Sequence, residues 1–189
     1  MFRDLFSGQA GRYDRRPMIH SAETFAAREP RLDLRLSESL VRLAATARAH
    51  DLGDDWIVFG GAAMVVSGLT DWDVPDIDVL ASPAAARTLI EALGGEVIEP
   101  KTAERFRSRT LARIDGTPVA VEIMVGLEVH AGEAWEPVIF HTRDLVAVAG
   151  ERIPVPHIAE QAAMARRFGR AKDLVRAEAL EQLIAGPVG

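Results

Sequence analysis

Along the chain, stretches with apolar residues at helical spacing alternate with short runs in which they are continuous or alternate one by one. Over residues 37–50, SESLVRLAATARAH, the residues Leu40, Val41, Leu43, Ala44 and Ala47 share one side of a 3.6-residue turn. Ser37 stands where an N-cap would stand and Gly53 follows the end, so this stretch predicts a core-facing helix. The run WIVF at 56–59 predicts a short buried strand broken at Gly60 and Gly61, and AAMVVSGL predicts a short helix packed close behind it. A second strand is predicted over 77–80. SPAAARTLIEALGG then carries a full helix signature, with Ser82 as cap, Pro83 at the first helical position and a glycine pair as the stop.

RSRTLARIDGTPVAVEIMVG holds two alternating runs around Asp115-Gly116, which predicts a tight hairpin. PHIAEQAAMARRFGRAKDLVRAEALEQLI predicts two helices separated near Gly169. Residues 1–33 mix charge, Gly and Pro without a sustained period and predict an arm, with a short helix over 21–29. The order helix, strand, helix, strand, helix, hairpin, helices implies an α/β (α+β) fold with a mixed sheet. It divides into the arm at 1–33, a core at 34–149, and a C-terminal helical segment at 150–189 packed on that core.

Composition narrows the class. A chain of 189 residues with 48% hydrophobic and 26% charged residues is long enough to bury a real core. It has no cysteine, hence neither a disulfide framework nor a thiolate metal site. The start, MFRDLFSGQAGRYDRRP, lacks the apolar run of a secretion signal, and no apolar stretch reaches the ~18 residues that span a bilayer. A cytoplasmic protein without a membrane partner is expected. A formal charge of −6 and a pI near 5.4 argue against a broad nucleic-acid footprint and favour a small or local substrate.

The candidate chemistry lies where four aspartates, Asp71, Asp73, Asp76 and Asp78, crowd in front of the second strand. Asp71 and Asp73 read as loop acids in solvent. Asp76 and Asp78 are two apart, so strand periodicity puts both carboxylates on one face while Ile77 and Val79 enter the core on the other. Two like charges so close call for a cation between them, and hard carboxylate oxygens suit Mg²⁺ or Mn²⁺. Glu122 interrupts the otherwise apolar VAVEIMV, so it joins the aspartates if the hairpin strand lies beside theirs. Gly60 and Gly61, between strand and helix, lack the β-carbons that would keep a phosphate from the backbone N–H groups. The five histidines are scattered without metal-ligand spacing, and the aspartates do not fit an EF-hand loop.

An apolar residue, a glycine pair, about a dozen residues, Asp-x-Asp and a later acid on a strand together resemble the nucleotidyltransferase superfamily, the fold shared with DNA polymerase beta. The matching residues are Gly60, Gly61, Asp76, Asp78 and Glu122. The tail GRAKDLVRAEAL is similar to the R-x-KDL segment of small bacterial relatives, which include AbiE-type toxin and antibiotic nucleotidyltransferases, so the resemblance runs over residues 37–184. It implies a nucleotidyltransferase-like mixed sheet flanked by helices. It also implies transfer of a nucleoside monophosphate from a nucleoside triphosphate to an acceptor hydroxyl with Mg²⁺ or Mn²⁺. In that reading Asp76 and Asp78 bridge the metals, Glu122 is a ligand or the base, Gly60 and Gly61 hold phosphates, and Arg170 and Lys172 reach phosphate or acceptor.

Three acceptors are compatible with the resemblance: a hydroxylated small molecule such as an antibiotic, an RNA 3′ end, or a protein side chain in a toxin–antitoxin pair with an antitoxin partner. The chain departs from many of these relatives where they carry Arg-x-Thr-x before Asp-x-Asp and it carries Trp72, Asp73, Val74 and Pro75. It also has Ala165 where a lysine is frequent and Arg176 where an aspartate follows KDL-x. The lost positive charge motivates an alternative, a catalytically degenerate nucleotide-binding or regulatory module of the same fold. A third reading is an acidic interaction protein with a vestigial site.

Overall fold

The computed structural model describes residues 32–70, 72–99 and 105–186. The helix expected over 21–29, most of the amino-terminal arm, and Asp71 lie outside the described residues. Helix α1 (Leu34–Ala49) begins four residues earlier than a cap at Ser37 implies, because Asp33 caps it, its carboxylate accepting from the N–H groups of Arg35 and Leu36. Ser37 is therefore inside the helix, a correction to its expected role as cap. Strand β1 (Trp56–Phe59) runs directly into α2 (Gly60–Val66). Strand β2 (Asp76–Ala81) is followed by α3 (Pro83–Leu93), with the Ser82 hydroxyl accepting from Ala85 N–H and Gly94 in the left-handed conformation at the end.

Next come β3 (Glu96–Ile98), β4 (Phe106–Arg107), β5 (Thr110–Ile114) and β6 (Ala120–Val125). Strands β5 and β6 form the expected hairpin, but residues 115–119 make a wider turn than a two-residue Asp-Gly loop. That loop is held from within and from α1: Thr117 donates to Val119 C=O, and Val119 N–H donates to the hydroxyl of Ser39. Strands β7 (Glu128–Ala131), β8 (Ala134–Pro137), β9 (Asp144–Val148) and β10 (Glu151–Val155) follow, then α4 (Ile158–Phe168) and α5 (Ala171–Ala185), separated at Gly169. Strand β10 belongs to the segment assigned to the C-terminal helices; it pairs with β9, and its Ile153 and Val155 are buried in the same core as α1.

The main sheet is mixed, ordered β1-β2-β6-β5-β3, with only β2 and β6 parallel. A second sheet, β4-β7-β8, and the β9-β10 pair complete the strand structure of the described residues. Alternation sorts the main sheet's side chains. Val58, Ile77, Val79, Val121 and Ile123 enter the large core shared with α1, α2 and α3. Ile57, Phe59 and Leu80 face the opposite way, into an apolar cluster with Leu127, Val129, Phe140, Met164 and Phe168. Asp76, Asp78 and Glu122 share this second face, at the end of β2 that opens toward α2 and α5.

Candidate functional site

Register brings the acids together. In the parallel pair, Asp78 stands directly opposite Glu122, and in the antiparallel pair it stands opposite Phe59, the residue before the glycine pair. Ile77, Val79, Val121 and Ile123 are fully buried on the far face, so the carboxylates have no freedom to turn inward. Gly60 adopts a left-handed φ of +66°, and a β-carbon there would lie 2.5 Å from Asp78 Oδ2. Glycine at 60 thus lets the Asp78 carboxylate rest against the chain at the start of α2.

One cavity of about 270 Å³ is lined by Gly60, Gly61, Asp76, Asp78, Glu122, Arg170 and Lys172, all seven residues singled out from the sequence. Its apolar wall includes Phe59, Met64, Met124, Phe140 and Phe168. Asp78 is half-buried and lines the cavity. Burial, then the charges of Asp76 and Glu122, push its carboxyl up to about 7, against the smaller opposing pull of Arg170 and Lys172. Among the described residues no ion pair reaches Asp76 or Asp78, so this wall is short of positive charge.

Each remaining residue has a distinct setting. Glu122 accepts from Arg113 Nη1 at 2.8 Å through Oε1, and Arg113 also bonds Asp115 through Nε at 2.8 Å. Arg170 is committed to Asp173 through Nε and Nη2, at 2.6 and 3.0 Å, and its guanidinium lies 4.7 Å from the centre of the Phe106 ring. It closes the start of α5 as much as it faces the cavity. Lys172 is exposed at the rim. Asp73 is exposed, as expected of a loop acid, while Trp72 and Val74 on either side of it pack against the main core.

Two lining residues were not foreseen. Arg176, at the place where the aspartate was expected, lies with its guanidinium 5.7 Å from the centre of the Trp72 ring. Its Nη2 is 3.4 Å from where a β-carbon of Gly61 would stand. Gln161 is buried; its Nε2 donates to Pro156 C=O at 2.6 Å and to Ser67 Oγ at 2.8 Å. A proline carbonyl only accepts, which fixes the amide's orientation, and Gln161 Oε1 is left without a partner. No periodicity marks either residue: Arg176 reads as surface helix and Gln161 as one more polar position before an Ala-Ala pair.

Among the described residues no group of three or more His, Asp or Glu side chains is gathered as a metal cage. Glu122 is paired with Arg113 on the neighbouring strand. Mg²⁺ does not need such a cage: it is bound by one or two carboxylates together with substrate phosphates. Two adjacent hard carboxylates on a wall short of positive charge fit that donor set.

No family model matches the sequence, and no curated protein does. Solved structures do match. A Thermotoga maritima protein assigned to the nucleotidyltransferases superposes with a TM-score of 0.56 at 19% identity, over 78% of this chain and 91% of that one. The antibiotic-resistance factor ANT(2'')-Ia superposes at 0.55 and 16% identity, over 82% and 86%. The chain carries a nucleotidyltransferase fold. An antigenic nucleotidyltransferase-like protein from Paracoccidioides brasiliensis gives 0.51 at 16% identity, over 80% and 76%. The nucleotidyltransferase fold accounts for the mixed sheet, its helices and the C-terminal helix pair together. None of the helices described is long and apolar enough to cross a membrane.

Proposed function

We propose that this protein is a metal-dependent nucleotidyltransferase, moving a nucleoside monophosphate from a nucleoside triphosphate to an acceptor hydroxyl. The observation that carries the reading is the half-buried Asp78 carboxylate, set between Asp76 and Glu122 with no ion-pair partner among the described residues and pressed against Gly60. Fixed anions left short of counter-charge beside an open cavity suit a cationic ligand that arrives with its own anion, as a metal–triphosphate complex does. Asp76 and Asp78 would hold divalent cations, Mg²⁺ or Mn²⁺, and Glu122, opposite Asp78 in the neighbouring strand, would add a third oxygen on turning from Arg113. Metal bound there supplies the Lewis-acid charge that offsets the developing negative charge on phosphate.

The chain's own groups do the rest. Gly60 and Gly61 offer backbone that phosphate oxygens can approach, and Arg170 and Lys172 add positive charge from the opposite wall. Glu122 uses Oε1 to bond Arg113, which leaves Oε2 to take the acceptor's proton. The acceptor oxygen bonds to the α-phosphorus as the bond to the bridging oxygen breaks, and pyrophosphate leaves with that electron pair. A hydroxylated small-molecule acceptor is supported by the likeness to an antibiotic-resistance factor. An RNA 3′ end, or a protein side chain in a toxin–antitoxin pair with an antitoxin partner, are the other acceptors of this reading.

Thermal melting with each nucleoside triphosphate, with and without Mg²⁺, tests the reading. Stabilisation that requires nucleotide and metal together is expected, since a ligand bound only by the native state raises Tm. No response to any triphosphate would overturn it. Labelled triphosphate incubated with cell extract then identifies the acceptor. A second reading, a nucleotide-binding module without transfer, is favoured by the Arg113–Glu122 ion pair, which withdraws one oxygen of the third acid. It predicts the same stabilisation but no labelled product.

A further inference from the structure

The cations lining the cavity are not equivalent. Arg170 gives two of its nitrogens to Asp173, which is 2% exposed, and stacks on Phe106. Pulling it away would leave a buried carboxylate unpaired, a costly change. Lys172 is exposed at the rim on a flexible stem. Arg176 differs from both: among the described residues no carboxylate pairs with it, and the neighbour that restrains it is the Trp72 ring. A ring holds a guanidinium in position without occupying its N–H donors, so the planar fork stays open for a bidentate anion.

Its location is as telling. Asp78 Oδ2 lies against Gly60, and Arg176 Nη2 lies against Gly61. Opposite charges therefore flank two consecutive residues, whose Cα atoms are ~3.8 Å apart, yet they form no ion pair. A charged pair kept apart on either side of a half-buried dipeptide that lines the cavity leaves room for a ligand that is cationic toward Asp78 and anionic toward Arg176. The Trp72 platform is itself fixed, since Trp72 and Val74 pack on the main core.

We propose that Arg176, steadied by Trp72 beside Gly61, is the clamp for the nonreacting phosphates of the triphosphate. The last helix thereby supplies the positive charge that the segment ahead of Asp76 lacks. This deepens the nucleotidyl-transfer reading and rests on it. Arg176 binds the leaving portion of the nucleotide, so its contribution is to triphosphate and pyrophosphate and not to the nucleoside or its monophosphate.

The experiment is a calorimetric titration of wild type, Arg176→Ala and Arg176→Lys with Mg²⁺ and a nonhydrolysable triphosphate, then with the matching monophosphate. Arg48→Ala, which removes an equal charge from a distant surface pair with Glu151, serves as control. Arg176→Ala should bind the triphosphate about ten- to a hundredfold more weakly, the usual loss of a hydrogen bond to a charged group. Monophosphate affinity and Tm should be unchanged, Arg176→Lys should recover only part of the loss, and Arg48→Ala should match wild type. Unchanged triphosphate affinity in Arg176→Ala overturns the clamp while leaving the transfer reading intact. Equal losses for triphosphate and monophosphate also overturn it, since they assign Arg176 a structural role. A wild-type protein that binds no triphosphate overturns the transfer reading itself and the clamp with it.

Discussion

The Asp78 carboxylate fills the space that a side chain on Gly60 would need: a β-carbon built on Gly60 comes within 2.5 Å of Asp78 Oδ2. Two separate features of the sequence, a glycine after a strand and an aspartate in the next strand, are thus one packing arrangement. Gly60 also holds a φ of +66°, where a β-carbon costs roughly 1–2 kcal/mol in backbone strain. Gly60→Ala should lower Tm by several degrees and displace Asp78. Mn²⁺ affinity and transfer should then fall together by tenfold or more. Calorimetry with a Mn²⁺ titration checks this; a protein of unchanged Tm and metal affinity would show that the contact gives way easily.

Asp78 makes a second prediction, concerning pH. Its carboxyl is pushed up to about 7 in the folded protein, above the usual value near 4 of an unfolded aspartate. The folded state therefore holds this proton more tightly. The stability it contributes is full below pH ~4 and is lost as pH rises through about 7. In the absence of metal, Asp78→Asn should match wild-type stability near pH 4 and exceed it above pH 7, by an amount on the order of a few kcal/mol. Mg²⁺ should shrink the difference by stabilising the charged wild-type form. The variant should have no transfer activity at any pH. Melting curves at successive pH values with and without Mg²⁺ decide it; parallel curves for the two proteins would mean that Asp78 is not strained by its neighbours.

Much of this site was legible because strand alternation is a strict rule. Asp76 and Asp78 had to share a face, and Val121 and Ile123 obliged Glu122 to point away from the core. The glycine pair, the Ser82 cap and the Gly169 break between helices carried local signatures of equal clarity. What escaped was nonlocal or lacked a signature. Strands β9 and β10 turn through Ala149 and Gly150, both at positive φ, where an alanine conceals the hairpin that Asn-Gly would have announced. Asp115-Gly116 did the reverse, promising a tight turn that Ser39 of α1 and Thr117 widen. Arg176 reaches Trp72 across about a hundred residues of chain, and spacing along a sequence carries no record of such a meeting.

Gln161 joins α4 to the end of α2 and to the turn before α4. Gln161→Met fills similar volume but leaves the Pro156 carbonyl without its donor, while removing the unpartnered Oε1. The two effects oppose each other, and the lost donor should prevail by about 1 kcal/mol. For a chain of this length that is a fall of roughly 2–4 °C in Tm. A variant as stable as wild type would show that water or a rearranged backbone satisfies Pro156.

Glu122 separates a three-acid site from a two-acid site. It stands opposite Asp78 in β2 and opposite Arg113 in β5, so it is pulled toward a cation on one side and shares the cavity with the aspartates on the other. If it serves as base or as a metal ligand, Glu122→Gln should weaken Mn²⁺ binding and transfer together, but less than Asp78→Asn does. Arg113→Ala should act in the opposite sense on metal binding, since removing the guanidinium leaves Glu122 free to turn to the cation. Because Arg113 and Glu122 are both partly exposed, losing their pair should cost no more than about 1 kcal/mol of stability. Measuring Mn²⁺ affinity and turnover for both variants and for the double variant checks the coupling. Full affinity and full turnover in Glu122→Gln would reduce the site to Asp76 and Asp78 and assign Glu122 to the Arg113 pair alone.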